Sequence, residues 1–123
     1  MRKFLIAALL IAAPASAWAQ SMNAEAFHQR ATALQKKGAL ALFSMGEVKK
    51  LMAEGQAAGK RAAQARRAAL AAGEKPRFCP PAGKGKMDDN EFMTRLSAIP
   101  KAERARIDMT EAVNRILARK YPC

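Results

Sequence analysis

The amino-acid sequence predicts an all-α protein: one small domain of about four to five helices, linked by one disulfide. Apolar residues recur at helical spacing in several segments, and the period-two alternation of half-buried strands is absent. Prolines and glycines cluster between residues 73 and 85, which separates the helical segments into two halves. Both cysteines of the chain, Cys79 and Cys123, lie beyond the first half.

The first 19 residues have the features of a cleaved secretory signal peptide. Two basic residues precede an apolar run at residues 4–13, and Ala17-Trp18-Ala19 fits the A-x-A cleavage pattern. We expect cleavage between Ala19 and Gln20, with Ala15-Ser16-Ala17 as an alternative site. A retained anchor helix is less favoured, because the apolar run is short for a membrane span. Residues 20–123 are therefore expected to form a single soluble domain in the periplasm, or outside the cell where no outer membrane exists.

Capping patterns predict the first helix. Asn23 is an N-cap candidate, and Met22 and Phe27 occupy the positions of a hydrophobic staple around it. Gly38 is a plausible end, because glycine readily adopts the backbone conformation that terminates helices.

A second, longer helix is expected from about Met45 to about Ala72. Ser44-Met45-Gly46-Glu47 has the form of a capping box, with Phe43 and Val48 as its staple. Apolar positions at the start of this helix give way to a face of glycines and alanines, which we expect to permit close helix contact. That face comprises Gly55, Gly59, Ala62, Ala65 or Ala69.

The second half contains a turn-rich linker and two further helices. Asp88 or Asp89 can cap a helix over "NEFMTRLSAI", and Pro100 begins a short turn. The D-x-x-E pattern that starts at Asp108 opens the last helix. Its apolar residues follow the clearest helical periodicity in the chain, and we expect them to be core residues: Met109, Ala112, Val113, Ile116 and Leu117.

Export makes a disulfide the simplest use of the two cysteines. Cys79 and Cys123 are 44 positions apart, which excludes a C-x-x-C redox motif, and one pair without a nearby histidine is a poor zinc site. An intramolecular bridge would fix the chain terminus and contribute about 4 kcal/mol through loop closure. An intermolecular bridge is the alternative.

The chain is strongly basic, with 22 Lys and Arg against 10 Asp and Glu. Removing residues 1–19 takes away two basic residues, so the expected mature charge is 20 − 10 = +10. Such a surface favours an acidic partner. The densest basic cluster on a predicted helix is the candidate partner-binding surface, and a merely solvated face is the alternative. It comprises Lys60, Arg61, Arg66 and Arg67.

The sequence gives little support to catalysis. His28 is the single histidine, both cysteines are assigned to the disulfide, and the serines lack a G-x-S-x-G context. The acidic cluster at Asp88, Asp89 and Glu91 lacks the spaced pattern of a calcium loop, and helix capping explains it better. We therefore predict a protein that is not an enzyme and has neither metal nor cofactor.

The second half resembles the Rap/Tai family of small exported helical proteins. The resemblance covers about residues 78–123 and rests on "FCPPAG", a helix, an "IP…ERAR" turn and an amphipathic helix closing on "KYPC". The first half departs from the family, since Gly55 and Gly59 stand where members carry an aromatic "GYxxG" helix, and a further cysteine is missing. The positions that correspond are Cys79, Pro81, Pro100, Ala112, Leu117, Tyr121, Pro122 and Cys123.

This resemblance implies an immunity function. Members neutralise peptidoglycan amidases of type VI secretion by covering the active site, need no cofactor, and often form homodimers. We accordingly expect a protein partner, no nucleic acid and no stable membrane insertion after signal cleavage. Two alternatives of other classes remain: a periplasmic stress or holdase protein, and a basic envelope-associated protein that binds anionic polymer or lipid.

Overall fold

The computed structural model describes residues 21–82 and 86–123. The predicted signal peptide and the cleavage site between Ala19 and Gln20 lie outside the described residues. Within the described ranges the protein is helical and has no strand, which confirms the predicted all-α class. The elements in chain order are α1 (Ala24–Lys37), a 3-10 helix (Gly38–Ser44), α2 (Met45–Ala71), α3 (Asp89–Ala98), the short α4 (Lys101–Arg104) and α5 (Met109–Lys120).

Helices α1 and α2 form an antiparallel hairpin. The guanidinium of Arg30 on α1 donates from Nη2 to the Glu47 carboxylate at the start of α2 over 2.8 Å. The amide of Met22, which precedes α1, donates to the carboxylate of Glu54, which lies further along α2 than Glu47. Since earlier residues of α1 face later residues of α2, the 3-10 helix stands at the closed end of the hairpin.

The most amphipathic segment of the sequence supplies much of the core. Met109, Ala112, Val113 and Ile116 of α5 are buried as predicted, and Leu117 is partly buried against them. Helix α5 packs against α2 and α3. The other buried apolar residues come from α1, α2, the linker, α3 and the residue that follows α3: Ala24, Phe27, Ala31, Leu51, Ala58, Ala62, Phe78, Leu96 and Ile99.

Three of the predicted N-caps are formed by side-chain hydrogen bonds. The Asn23 side chain accepts from the Ala26 amide over 3.0 Å, and Gly38 ends α1 with a φ of 54°. Asp88, one of two candidates, caps α3 by accepting from the Glu91 amide over 2.7 Å, and Asp108 caps α5 in the same way. Each cap satisfies a backbone amide that the helix itself leaves unpaired.

The capping box predicted at Ser44 was wrong. The Ser44 side chain accepts a hydrogen bond from Lys37 Nζ over 3.1 Å and caps nothing on α2. Glu47, the other half of the box, is paired with Arg30 instead. The predicted staple is also wrong at one end, because the Phe43 side chain is 89% exposed.

The small-residue face of α2 is only partly buried. Ala62 lies in the core, but Ala65 is exposed, and α2 ends at Ala71, one residue before the predicted end. A β-carbon added at Gly55 or Gly59 would meet nothing within 4 Å, so no neighbouring helix approaches closely there. The glycines are therefore not required for the helix packing.

The segment after Pro100 is more regular than predicted. It forms the short helix α4, with Pro100 at the N-cap position, where the lack of a backbone N–H costs nothing. The following loop returns to the start of α1, since the Ala24 amide donates to Ile107 O over 2.9 Å and Met109 N donates to Met22 O. These bonds join the first half of the chain to the second.

Candidate interaction surface

The 3-10 helix at the closed end of the hairpin exposes large apolar side chains. We call Leu40, Leu42 and Phe43 the apolar tip; their exposed fractions are 63%, 71% and 89%. None of the seven residues of the 3-10 helix is buried. A run of this length is uncommon for a 3-10 helix, and exposed apolar side chains that cluster in this way mark interaction sites.

Four exposed lysines flank the apolar tip along the chain. Lys36 and Lys37 end α1, while Lys49 and Lys50 lie in the first two turns of α2. We call these four residues the lysine collar. Along the helix axis, Lys49 and Lys50 stand about 6–8 Å behind the start of α2. The closed end of the hairpin thus combines exposed apolar side chains with four nearby positive charges.

Glu47 is the only carboxylate between residues 26 and 53. A hydrogen bond from Arg30 lowers its pKa, and the charges of Lys50 and Lys37 act in the same direction. This carboxylate therefore stays ionised and is committed to Arg30. It offsets one charge of the region and is the only acidic neighbour of the collar within residues 26–53.

A groove of about 330 Å³ runs along the side of the hairpin. We call it the lateral groove. It lies between α1, α2 and α3, and its apolar lining includes Leu34, Met52 and Met93. Phe27 and Phe92 meet edge to face in this lining, with ring centroids 6.0 Å apart. Its size and apolar walls are those of a site that takes a ligand or a few side chains of a partner.

The predicted basic cluster on α2 divides between two environments. Lys60 and Arg67 are exposed, whereas Arg61 and Arg66 are partly buried. Arg66 Nε donates to the carbonyl of Phe78 over 3.2 Å and so holds the linker against α2. Of the four predicted contact residues, Lys60 and Arg67 are exposed to solvent.

A second cavity, of about 380 Å³, is lined by several arginines between α3 and α5. Arg77 pairs with Glu111, and Arg95 with Glu91, at distances of 2.8 Å and 2.7 Å. Arg115 also pairs with Glu111, at 3.2 Å. Carboxylates thus pair with three of the four arginines that line the cavity, Arg119 being the fourth.

The predicted disulfide between Cys79 and Cys123 is present, with the two Cα atoms 5.0 Å apart. The Cys79 amide also donates to Tyr121 O over 2.8 Å, so the linker and the chain end are joined twice. Since neither thiol is free, no cysteine is available as a nucleophile or a metal ligand.

His28 contacts Ser97 but does not form a catalytic triad with it. Its Nε2 lies 2.9 Å from Ser97 Oγ, and partial burial lowers the pKa of the imidazole. The nearby Glu25 carboxylate accepts from Arg104 and Gln29 and does not orient the imidazole. A triad requires that third contact to fix the tautomer of the base.

The acidic cluster at Asp88, Asp89 and Glu91 is used in the fold. Asp88 caps α3, and Glu91 accepts from Lys120 and Arg95, which lower its pKa. Across residues 21–82 and 86–123, no three histidine, cysteine or carboxylate side chains are grouped so as to hold a metal ion. In the same ranges no helix is both long and apolar enough to cross a bilayer.

No protein-family model, curated protein or solved structure matches this chain. The surface features described above and the resemblance of residues 78–123 are therefore the basis for a function.

Sequence reasoning missed the apolar tip as a functional surface. The run "ALALF" at residues 39–43 is visibly apolar, but it also continues the apolar pattern of α1 and could have been core. Its position between a helix-ending glycine and a capping pattern was the available clue. The lateral groove had no such clue, because it depends on residues from three helices.

Proposed function

We propose that this protein acts in the periplasm by binding another protein and has no catalytic activity of its own. The proposed partner is a peptidoglycan amidase of type VI secretion, which the protein would neutralise by covering its active site. The resemblance of residues 78–123 to the Rap/Tai family suggests this partner. The lateral groove is the observation that supports protein binding best.

The groove has the composition of a contact surface. Leu34, Val48, Met52, Phe92 and Met93 line it without being fully buried. A partner side chain that enters the groove would remove this apolar area from water, which is the main favourable term in association. Methionine is well suited to such a site, because its unbranched side chain adapts to the shape of the partner.

The positive charge of the chain supports the same proposal. A basic protein associates faster with an acidic partner, and the effect weakens as salt rises. Lys60 and Arg67 are exposed on α2 and could meet such a partner at the edge of the contact. Charges at an edge chiefly change the association rate, whereas the buried centre of a contact sets the dissociation rate.

Protection of cells is the decisive experiment. A periplasm-directed amidase encoded beside this gene is expressed together with the protein. The protein carries its signal peptide in one strain and lacks it in the other. We expect survival in the first case and lysis in the second. Lysis in both cases, with the protein present in the periplasm, would contradict the immunity function.

A matched pair of variants tests the groove. Met52 is 52% exposed in the groove and Leu70 is 49% exposed near the far end of α2, so each can be replaced by lysine with little effect on folding. We expect Met52→Lys to lose protection and Leu70→Lys to retain it.

If no neighbouring amidase exists, the purified protein is used as bait to capture partners from periplasmic extract. The Met52→Lys variant serves as the control bait. Suppression of the aggregation of an unrelated acid-denatured protein, without capture of a defined partner, would favour the holdase alternative.

A further inference from the structure

The apolar tip and the lysine collar suit a different kind of contact from the one that the lateral groove suits. The tip stands at the closed end of the α1–α2 hairpin, and its side chains protrude where no described element covers them. The groove is concave and takes side chains into itself. The tip is convex and must itself enter an apolar medium to be removed from water.

We propose that the apolar tip docks this protein on the surface of an anionic membrane. Leu42 and Phe43 would enter the boundary between headgroups and acyl chains, and the lysine collar would contact the headgroup phosphates. This is peripheral docking on one side of the bilayer, and it does not depend on the proposed amidase partner.

The spacing between tip and collar fits this arrangement. Peripheral apolar segments bury themselves about 5–10 Å into the boundary between headgroups and acyl chains. Lys49 and Lys50 lie about 6–8 Å behind the start of α2 along its axis. With Leu42 and Phe43 in this boundary, the long lysine stems allow the ammonium groups to reach the phosphates from that distance.

Charge complementarity selects an anionic surface. Between residues 26 and 53 there are five basic residues and one acidic residue, a net charge of 5 − 1 = +4. A second copy of this chain is disfavoured as the occupant, because two tips that meet would bring two lysine collars together. Clusters of four or more lysines beside an apolar segment are the pattern that binds acidic lipids.

The large exposed apolar side chains of the tip also favour a lipid surface over a pocket in a protein as the site of contact. Three large apolar side chains are exposed within one short segment at the closed end of the hairpin, and Met45 beside them is 42% exposed. A fluid acyl region accommodates such a cluster from any direction, whereas a protein would need a cavity shaped to all of it. Lysine side chains add reach, since their long stems let the ammonium follow the headgroups.

Vesicle flotation tests the proposal on protein purified from periplasmic extract. The probes are vesicles of phosphatidylcholine alone and vesicles that also contain phosphatidylglycerol. We expect flotation with the anionic vesicles only, and weaker flotation at higher salt. Equal flotation with both vesicles, or with neither, would overturn the proposal.

Two leucines give a matched comparison of the apolar contact. Leu42 is 71% exposed at the tip and Leu70 is 49% exposed at the other end of α2. Leu42→Ser should reduce affinity for anionic vesicles about tenfold, which corresponds to ~1.4 kcal/mol, and Leu70→Ser should leave it unchanged. Phe43→Ser, as a second tip variant, should behave as Leu42→Ser does. Equal effects of Leu42→Ser and Leu70→Ser would show that the tip has no special role.

Two double variants with the same charge change test the collar. Lys49→Gln with Lys50→Gln removes two collar charges, and Lys60→Gln with Arg67→Gln removes two exposed charges further along α2. We expect the first to weaken vesicle binding and to reduce its salt dependence more than the second. If both reduce binding equally, net charge alone attracts the protein and the collar proposal fails.

Insertion itself is measured with Phe43→Trp. The single native tryptophan is Trp18, so cleavage after Ala19, as predicted, leaves the new indole as the only one in the processed chain. We expect a blue shift of its emission on anionic vesicles and quenching by brominated acyl chains. Binding without either change would mean that the tip stays in water.

The Leu42→Ser variant is also tested in the protection assay, which separates the membrane proposal from the immunity proposal. Vesicle binding and protection are independent readouts, so either proposal can fail while the other holds.

Discussion

Arg104 on α4 donates from Nε to the carboxylate of Glu25 on α1 over 2.7 Å, and both side chains are more than nine-tenths buried. The same guanidinium donates from Nη1 to the carbonyls of Ser97 and Ile99. One buried cation thus joins the first helix to the segment between α3 and α4. A buried pair is strongly destabilising when only one partner is removed, because the other charge stays buried without compensation.

Arg104→Ala should therefore lower the free energy of unfolding by about 3–5 kcal/mol. Chemical denaturation of the processed protein measures this loss. Arg30→Ala is the control, since it breaks the largely solvent-accessible pair with Glu47 and should cost far less. Equal losses for the two variants would show that the burial of Arg104 has no special importance.

The same pair predicts a loss of stability in acid. The hydrogen bond from Arg104 lowers the pKa of Glu25 in the folded protein. A carboxyl group with a lowered folded-state pKa contributes its stability above its unfolded pKa of about 4.3 and loses it as the pH falls toward the folded value. Denaturation midpoints measured downward from pH 5 should fall, and they should fall less steeply in Glu25→Gln. A parallel pH dependence in both proteins would contradict this role.

The disulfide predicts a covalently fixed C-terminus. Mass spectrometry of the purified protein without reduction should recover a peptide pair linked through Cys79 and Cys123. Cys123→Ser should cost about 2–5 kcal/mol of unfolding free energy. Cys79→Ser should cost the same, and the double variant no more than either single one. Additive losses would indicate that each cysteine acts through something other than their common bridge.

Ile116 should be a core residue, since its side chain is only 2% exposed on the inner face of α5. Ile116→Ala removes buried methylene groups and leaves a cavity, so we expect a loss of about 2–5 kcal/mol. Leu70→Ala, at a half-exposed position, should change stability by only about 0.5 kcal/mol. An unchanged denaturation midpoint for Ile116→Ala would indicate that this face is an interaction surface and does not belong to the core.

Gly59 offers a stabilising substitution. It lies within α2, and an added β-carbon there would meet nothing within 4 Å. Gly59→Ala should raise the free energy of unfolding by about 0.5–1 kcal/mol, because alanine loses less backbone entropy in a helix. Gly38→Ala should do the opposite, since Gly38 has a φ of +54° that side chains strain to adopt. Destabilisation by Gly59→Ala would mean that another part of the chain approaches that face more closely than the structure shows.

Local features of the fold were readable from sequence because they depend on neighbours a few residues away. Asn23, Asp88 and Asp108 cap the helices that follow them through amides three positions along the chain. The periodicity of α5 likewise identified its buried face, since an apolar stripe must be covered somewhere. The pairing of Cys79 with Cys123 followed from there being only two cysteines in a chain whose first 19 residues predict export.

Tertiary structure decided the features in which distant groups compete. The cap at Ser44 fails because Arg30, 17 residues upstream of Glu47, takes the carboxylate that a capping box needs. The exposure of Phe43 depends on where the hairpin closes and on which elements come near it, which no short pattern encodes. An apolar run has the same sequence signature whether another helix covers it or not, and only the assembled fold left Leu40, Leu42 and Phe43 uncovered.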